Sequence, residues 1–172
     1  GCSWKTVLTV TGNPCEEALC TYTQGAYGTE GGKSCADGVL YSTKGLIAKG
    51  LASYPLGTMT IGLPGRSIKI SNNAIDIQKI IDVLPGGGSS AVLSVANDVL
   101  IASLPSSYLK KGVINSTLLA QTITLGLNLG IDSGLGAFGL QAGTLAIATP
   151  EGGCGSDIPK TRSCSYDVYT PT

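Results

Sequence analysis

This chain of 172 residues contains no histidine. That absence removes serine–histidine and cysteine–histidine nucleophilic mechanisms in their usual forms, together with zinc sites built on imidazole ligands. Charge is scarce as well. Lys, Arg, Asp and Glu make up 13% of the residues, against roughly 25% in an average soluble domain. Eleven basic side chains balance eleven acidic ones, so little repulsion keeps copies of the chain apart. The densest positive stretch is Lys110-Lys111, and with no basic patch a nucleic-acid partner is not expected. Apolar runs are interrupted by Gly, Asn, Thr or Ser well short of the roughly 20 residues that span a bilayer, so no membrane span is expected. Aromatics reach only 5%. Trp4, Tyr22, Tyr27 and Tyr41 could together form a sugar-stacking platform, but packing over glycine-rich loops is the plainer role for them.

The motifs that carry common chemistries are also missing or incomplete. Pro85–Ser90 (PGGGSS) has the glycines of a phosphate loop without its Gly-Lys-Ser/Thr ending, and reads as a helix stop. The stretch 132–136 (DSGLG) offers one carboxylate, Asp132, where calcium loops supply several. Glu16-Glu17 and the pair Asp76 and Asp82 are carboxylates of the type glycosidases use; solvated surface roles are expected for all four. Asn115-Ser116-Thr117 matches a glycosylation sequon, although Asn115 would serve equally as a helix cap, which is the preferred reading. No catalytic residue, cofactor site or metal site is assigned, and the chain reads as a non-enzyme.

What is present is a cysteine frame. Cys2, Cys15, Cys20 and Cys35 lie at one end, Cys154 and Cys164 at the other, and Met59 is the only sulfur between Asp37 and Gly153. An even count with no CxxC pair reads as three disulfides tying the termini, in an oxidising, extracellular or cell-surface compartment. Cys154–Cys164 is expected as one bridge. Spacing does not determine the other pairing; Cys15–Cys20 with Cys2–Cys35 is preferred over its two alternatives. The sequence opens without a leader-like run, and a mature form is the expectation that follows.

One domain over 1–172 is expected, with disulfide-stapled margins at 1–38 and 150–172 around a core at 39–149. Trp4–Thr11 reads as a strand, followed by a glycine- and tyrosine-rich loop region from Cys15 to Gly38. Thr43–Tyr54 reads as a helix capped by Thr43, with Ile47, Leu51 and Tyr54 on one face. Thr58–Leu63 and Ser67–Ile70 are strands around Pro64-Gly65. Asn73–Leu84 is the clearest helix, with Asn73 as cap, Asp76 in the first turn, and a stripe of Ile77, Ile80, Ile81 and Leu84. Ala91–Ser103 has no clean period and reads as extended. At 115–131 two rules disagree: the Asn-Ser-Thr start is a helix signal, yet Ile123, Leu125, Leu127, Leu129 and Ile131 alternate as in a strand. Gly126 and Gly130 each disfavour a helix by about 1 kcal/mol. Leu140–Thr149 and the segment around Ser165–Thr170 are further strands.

Several of these pieces, taken in order, resemble a module of secreted and cell-surface proteins of the Bacteroidota. The matching stretches are 21–28 (TYTQGAYG), the step from Tyr54-Pro55 to Ile61-Gly62, 83–88 (VLPGGG), Leu119-Ala120-Gln121, and Leu127-Asn128-Leu129 with Asp132. The resemblance implies a core-packing helix at Ser116–Leu129 and a surface or matrix role, and it supplies no catalytic residues. Members often belong to larger extracellular proteins with repeats and sorting domains. No such appendages follow here, which leaves an excised module and a small free-standing subunit as alternatives.

The fold expected is α+β, a small antiparallel sheet with two or three short helices and disulfide-tied termini. The function expected is a structural subunit that self-associates into a homo-oligomer or polymer, with a filament or a surface layer as the candidate forms. Trp4, Val7 and Val10, and Tyr166 and Val168, lie on the strands that would add to a neighbour's sheet edge. The alternative is an adhesin-like module that binds a glycan or a surface protein through Tyr22, Gln24 and Tyr27.

Overall fold

The computed structural model describes residues 21–37, 39–137, 143–147 and 164–168. Within them the chain is mixed α+β, with four helices and four small sheets. In order the elements are α1 (Gln24–Gly28), β1 (Lys33–Ala36), β2 (Val39–Ser42), α2 (Thr43–Ala52), β3 (Thr58–Leu63), β4 (Arg66–Ser71) and α3 (Ala74–Val83). Then follow β5 (Val99–Leu100), β6 (Leu109–Lys110), β7 (Val113–Ile114), α4 (Thr117–Ile131), β8 (Gly143–Ile147) and β9 (Cys164–Val168). Strands β1–β2, β3–β4, β6–β7 and β8–β9 pair antiparallel, whereas β5 joins β4 in parallel. The expected single sheet is therefore divided, and one pair runs parallel.

Local signals account for much of this. Pro64-Gly65 turns β3 onto β4 with Leu63 opposite Arg66, and Gly65 takes the positive φ of 78° that a side chain would resist. Asn73 caps α3, its Oδ1 accepting from the N–H groups of Ile75 and Asp76. Ile77, Ile80, Ile81 and Leu84 are all buried, as their spacing requires.

Five expectations shift. The cap of α2 is Ser42, which accepts from the Gly45 N–H at 3.2 Å. Thr43 turns inward instead, and its hydroxyl donates to the Thr29 carbonyl at 2.6 Å. Helix α2 stops at Ala52, so Tyr54 lies beyond it and donates its hydroxyl to the Gly126 carbonyl. Asp76 is buried rather than solvated, because its carboxylate accepts the Ser71 N–H at 2.8 Å and closes the β4–α3 corner. Asp82 is exposed, as expected. Finally, the core does not begin at residue 39: Tyr27 and Ala36 are both buried in it. The loop read from Cys15 to Gly38 contains, in its described part, a helical turn, α1, capped by Thr23, and the strand β1.

The disputed segment is the helix α4, capped by Ser116 rather than Asn115. Leu119, Ala120, Ile123, Thr124, Leu127, Asn128 and Ile131 are its buried residues, a spacing that belongs to a helix and not to a strand. Its glycines have a packing reason. A methyl group on Gly130 would overlap the Gly50 carbonyl of α2, and one on Gly126 would overlap the Met59 sulfur of β3. The backbones of α2 and α4 meet at Gly50 and Gly130, and the lost helix propensity is offset by that close approach.

Trp4, Val7, Val10, Cys2, Cys15, Cys20 and Cys154 lie outside the described residues, as do Glu16 and Glu17. Cys35, on β1, is disulfide-bonded. Cys164 opens β9, in which Tyr166 stands opposite Leu145 and Val168 opposite Gly143.

Candidate functional site on the two flanks of helix α4

Helix α4 contains no charged residue along its 15 positions. Helices that are apolar all round are usually buried, yet Leu118 and Leu125 on its outward side are 51% and 53% exposed. They form a ridge with Gln121, which is also exposed. A depression lies on each side of that ridge, and no described residue lining either one carries a charge.

The first depression is a groove of about 270 Å³, of mixed apolar and uncharged polar lining, between β3, the strap at 91–94 and the start of α4. Ile61, Leu93, Leu118 and Leu119 line it, and Val92 stands 84% exposed at its edge. Tyr108 holds the strap in place, its hydroxyl 3.1 Å from the Ser94 N–H and 3.0 Å from the Ser94 hydroxyl. Two residues further along β3, Leu63 is also exposed. Among the described residues β3 pairs only with β4, and β8 pairs only with β9, so each has one edge without a described partner.

The second depression is a cleft of about 520 Å³ between the 21–25 segment, Pro85-Gly86 and the other side of α4. Its walls are tied by hydrogen bonds between distant parts of the chain. Asn128 accepts the Tyr22 N–H at 2.9 Å and donates to the Tyr22 carbonyl at 3.0 Å. Tyr27 donates its hydroxyl to the same Asn128 oxygen at 2.7 Å. Gln24 Oε1 accepts the Gly86 N–H at 2.8 Å, and Gly87 donates to the Ile114 carbonyl, so 85–88 is held as well as being a helix stop. Gly28 faces the Leu84 carbonyl so closely that a side chain would not fit.

The candidate binding loop is thus split by the structure. Tyr22 and Gln24 line the cleft. Tyr27 is fully buried beneath it and presents no surface to a ligand; burial, followed by the neighbouring Tyr22, drives its phenol far above the ordinary value. Tyr22 meets Tyr27 edge to face at 6.1 Å and donates its hydroxyl to the Cys35 carbonyl. Tyr41 is elsewhere, on β2 beneath Lys49. The sequence reading missed Gln121 as a lining residue. Its signal was there: Gln121 and Asn128 are two carboxamides seven positions apart, on one side of an uncharged helix.

Charges gather away from α4. Lys49 pairs with Asp37 at 2.6 Å, and that contact raises the lysine pKa. Lys69 pairs with Asp98 at 2.9 Å, and Ser67 donates to the same carboxylate from both N–H and Oγ; these bonds hold the Asp98 pKa below its usual range. Among the described residues no cluster of three metal-ligating side chains occurs, and no helix is long and apolar enough to cross a membrane. No family model, curated protein or solved structure matches the chain.

Proposed function

We propose that this chain is a non-enzymatic, extracellular structural subunit that self-associates, with a filament or a surface layer as the form of assembly. The observation that carries the reading is the charge-free outward side of α4, where exposed Leu118 and Val92 border a groove with no charge among its described lining residues. Burying such surface is favourable by about 25 cal/mol per Å². A second copy is the occupant that suits it: an uncharged face meets itself without like-charge repulsion, and the chain's zero net charge adds none. The edges of β3 and of the β8–β9 pair that have no partner among the described residues would give strands such as Trp4–Thr11 and Ser165–Thr170 of a neighbour a place to add. The cysteine frame, with Cys35 in a disulfide, supports an oxidising, extracellular setting.

Negative-stain microscopy and sedimentation over a concentration series test this. Regular polymers are expected for the intact chain, and Leu118→Lys should leave folded, dispersed protein. A monodisperse monomer at high concentration, unaffected by removal of residues 1–11, would sink the reading.

A further inference from the structure

The cleft on the Leu125 flank of α4 lies across the ridge from the groove, and two glutamine side chains line it. Its volume of about 520 Å³ falls within the roughly 300–1,000 Å³ usual for small-molecule sites. We propose that it is a binding site for an uncharged saccharide, gripped by the side-chain amides of Gln24 and Gln121.

Three features of the site lead to that ligand class. Among the described residues the lining holds no charge, so a phosphate, carboxylate or ammonium group entering it would lose water without gaining a counter-charge from them. Groups that both donate and accept hydrogen bonds alternate with apolar surface: Thr21, Gln24 and Gln121 beside Tyr22, Pro85 and Leu125. A sugar ring has the same alternation, with hydroxyls that donate and accept around its rim and C–H groups on its faces. The polar groups are also available. Gln24 uses Oε1 on Gly86 and keeps Nε2 to donate, while among the described residues the Gln121 carboxamide has no partner.

Hydrogen bonds tie the walls of the cleft together. Asn128 clamps both main-chain groups of Tyr22, and Gln24 pins Gly86 across 62 residues of chain. Little ordering is left for a ligand to impose, which favours binding of a small molecule with few contacts.

Nuclear magnetic resonance titration of the isotope-labelled full-length Leu118→Lys chain, which is expected to stay dispersed and whose substitution lies outside the cleft, tests the site. The probes are cellobiose, maltose, lactose and diacetylchitobiose, with glucuronic acid as the charged control. At least one neutral disaccharide is expected to shift the amides of residues 21–25, 86 and 121–125. Gln121→Ala should weaken that binding roughly five- to tenfold, the worth of one hydrogen bond. Gln24→Glu keeps the acceptor for the Gly86 N–H but removes the donor, so it should weaken binding while the Gly86 amide stays in place. No shift at these residues with any neutral probe overturns the proposal. So does stronger binding of glucuronic acid, or binding indifferent to both substitutions. Sedimentation of the same glutamine variants in the chain that keeps Leu118 reports assembly separately, so loss of either property leaves the other readable.

Discussion

The carboxamide of Asn128 pairs with both main-chain groups of Tyr22, 106 residues earlier in the chain. It does for the 21–25 segment what a neighbouring strand would do, and it also takes the Tyr27 hydroxyl. Replacing it with alanine removes the hydrogen bonds it makes to the Tyr22 N–H, the Tyr22 carbonyl and the buried Tyr27 phenol. A hydrogen bond lost from a buried group costs about 1–3 kcal/mol, with partial relief from water. Asn128→Ala is expected to lose about 3 kcal/mol of stability, read as a lower urea midpoint. A loss below about 0.5 kcal/mol would show that the clamp contributes nothing.

Gly130 and Gly87 make a matched contrast. Alanine at 130 would improve helix propensity by about 1 kcal/mol, but its methyl would overlap the Gly50 carbonyl where α2 and α4 meet. The overlap involves backbone on both sides, so the clash wins and Gly130→Ala should lower the melting temperature. Nothing lies within 4 Å of a methyl placed on Gly87, and its φ is not positive. Gly87→Ala should leave the melting temperature near that of the parent chain. Equal effects at the two positions would remove the close-packing account of α4.

Ser116 and Asn115 compete in the sequence for the role of helix cap. The Ser116 hydroxyl accepts the Leu119 N–H, while Asn115 is exposed and gives only its main-chain N–H, to the Tyr108 carbonyl. Ser116→Ala is expected to cost about 1 kcal/mol, and Asn115→Ala to stay within about 0.5 kcal/mol. Chemical denaturation of the two variants side by side checks the assignment, and the reverse order would return the cap to Asn115.

Stability should fall at both ends of the pH scale, for opposite reasons. The Asp98 pKa is lowered by Lys69 and then by Ser67, so its contribution is full above the ordinary carboxylate value of about 4. It is lost as the pH falls below that value and the folded-state carboxylate protonates. Asp98→Asn should therefore melt below the parent at neutral pH, with the gap closing in acid. Tyr27 is raised by burial and by Tyr22, so its neutral form is favoured when folded. Its contribution is full below about pH 10 and is lost above it, where the unfolded phenol ionises first. Tyr27→Phe should blunt the alkaline loss. Thermal melts across pH check both, and a gap for Asp98→Asn that widens in acid would contradict the assignment.

Some of this protein could be read directly from its residues. Helix α3 follows from the Asn73 cap and the stripe of Ile77, Ile80, Ile81 and Leu84, and the β3–β4 turn from Pro64-Gly65. Those elements rest on contacts within a few residues, which leave a periodic or positional mark. The lack of histidine and of dense charge is equally a property of the sequence alone. Tertiary structure decided the rest. The 123–131 pattern fits two periods, and only the approach of Gly130 to Gly50 shows why glycines stand in a helix. Asp76 could be known as buried only once β4 supplied the Ser71 N–H. The cleft depends on Tyr22 with Asn128 and on Gln24 with Gly86, and Tyr27 leaves the binding surface because the core closes over it. Partners that meet across 62 or 106 residues leave no spacing to detect, because the fold, not the local chain, brings them together.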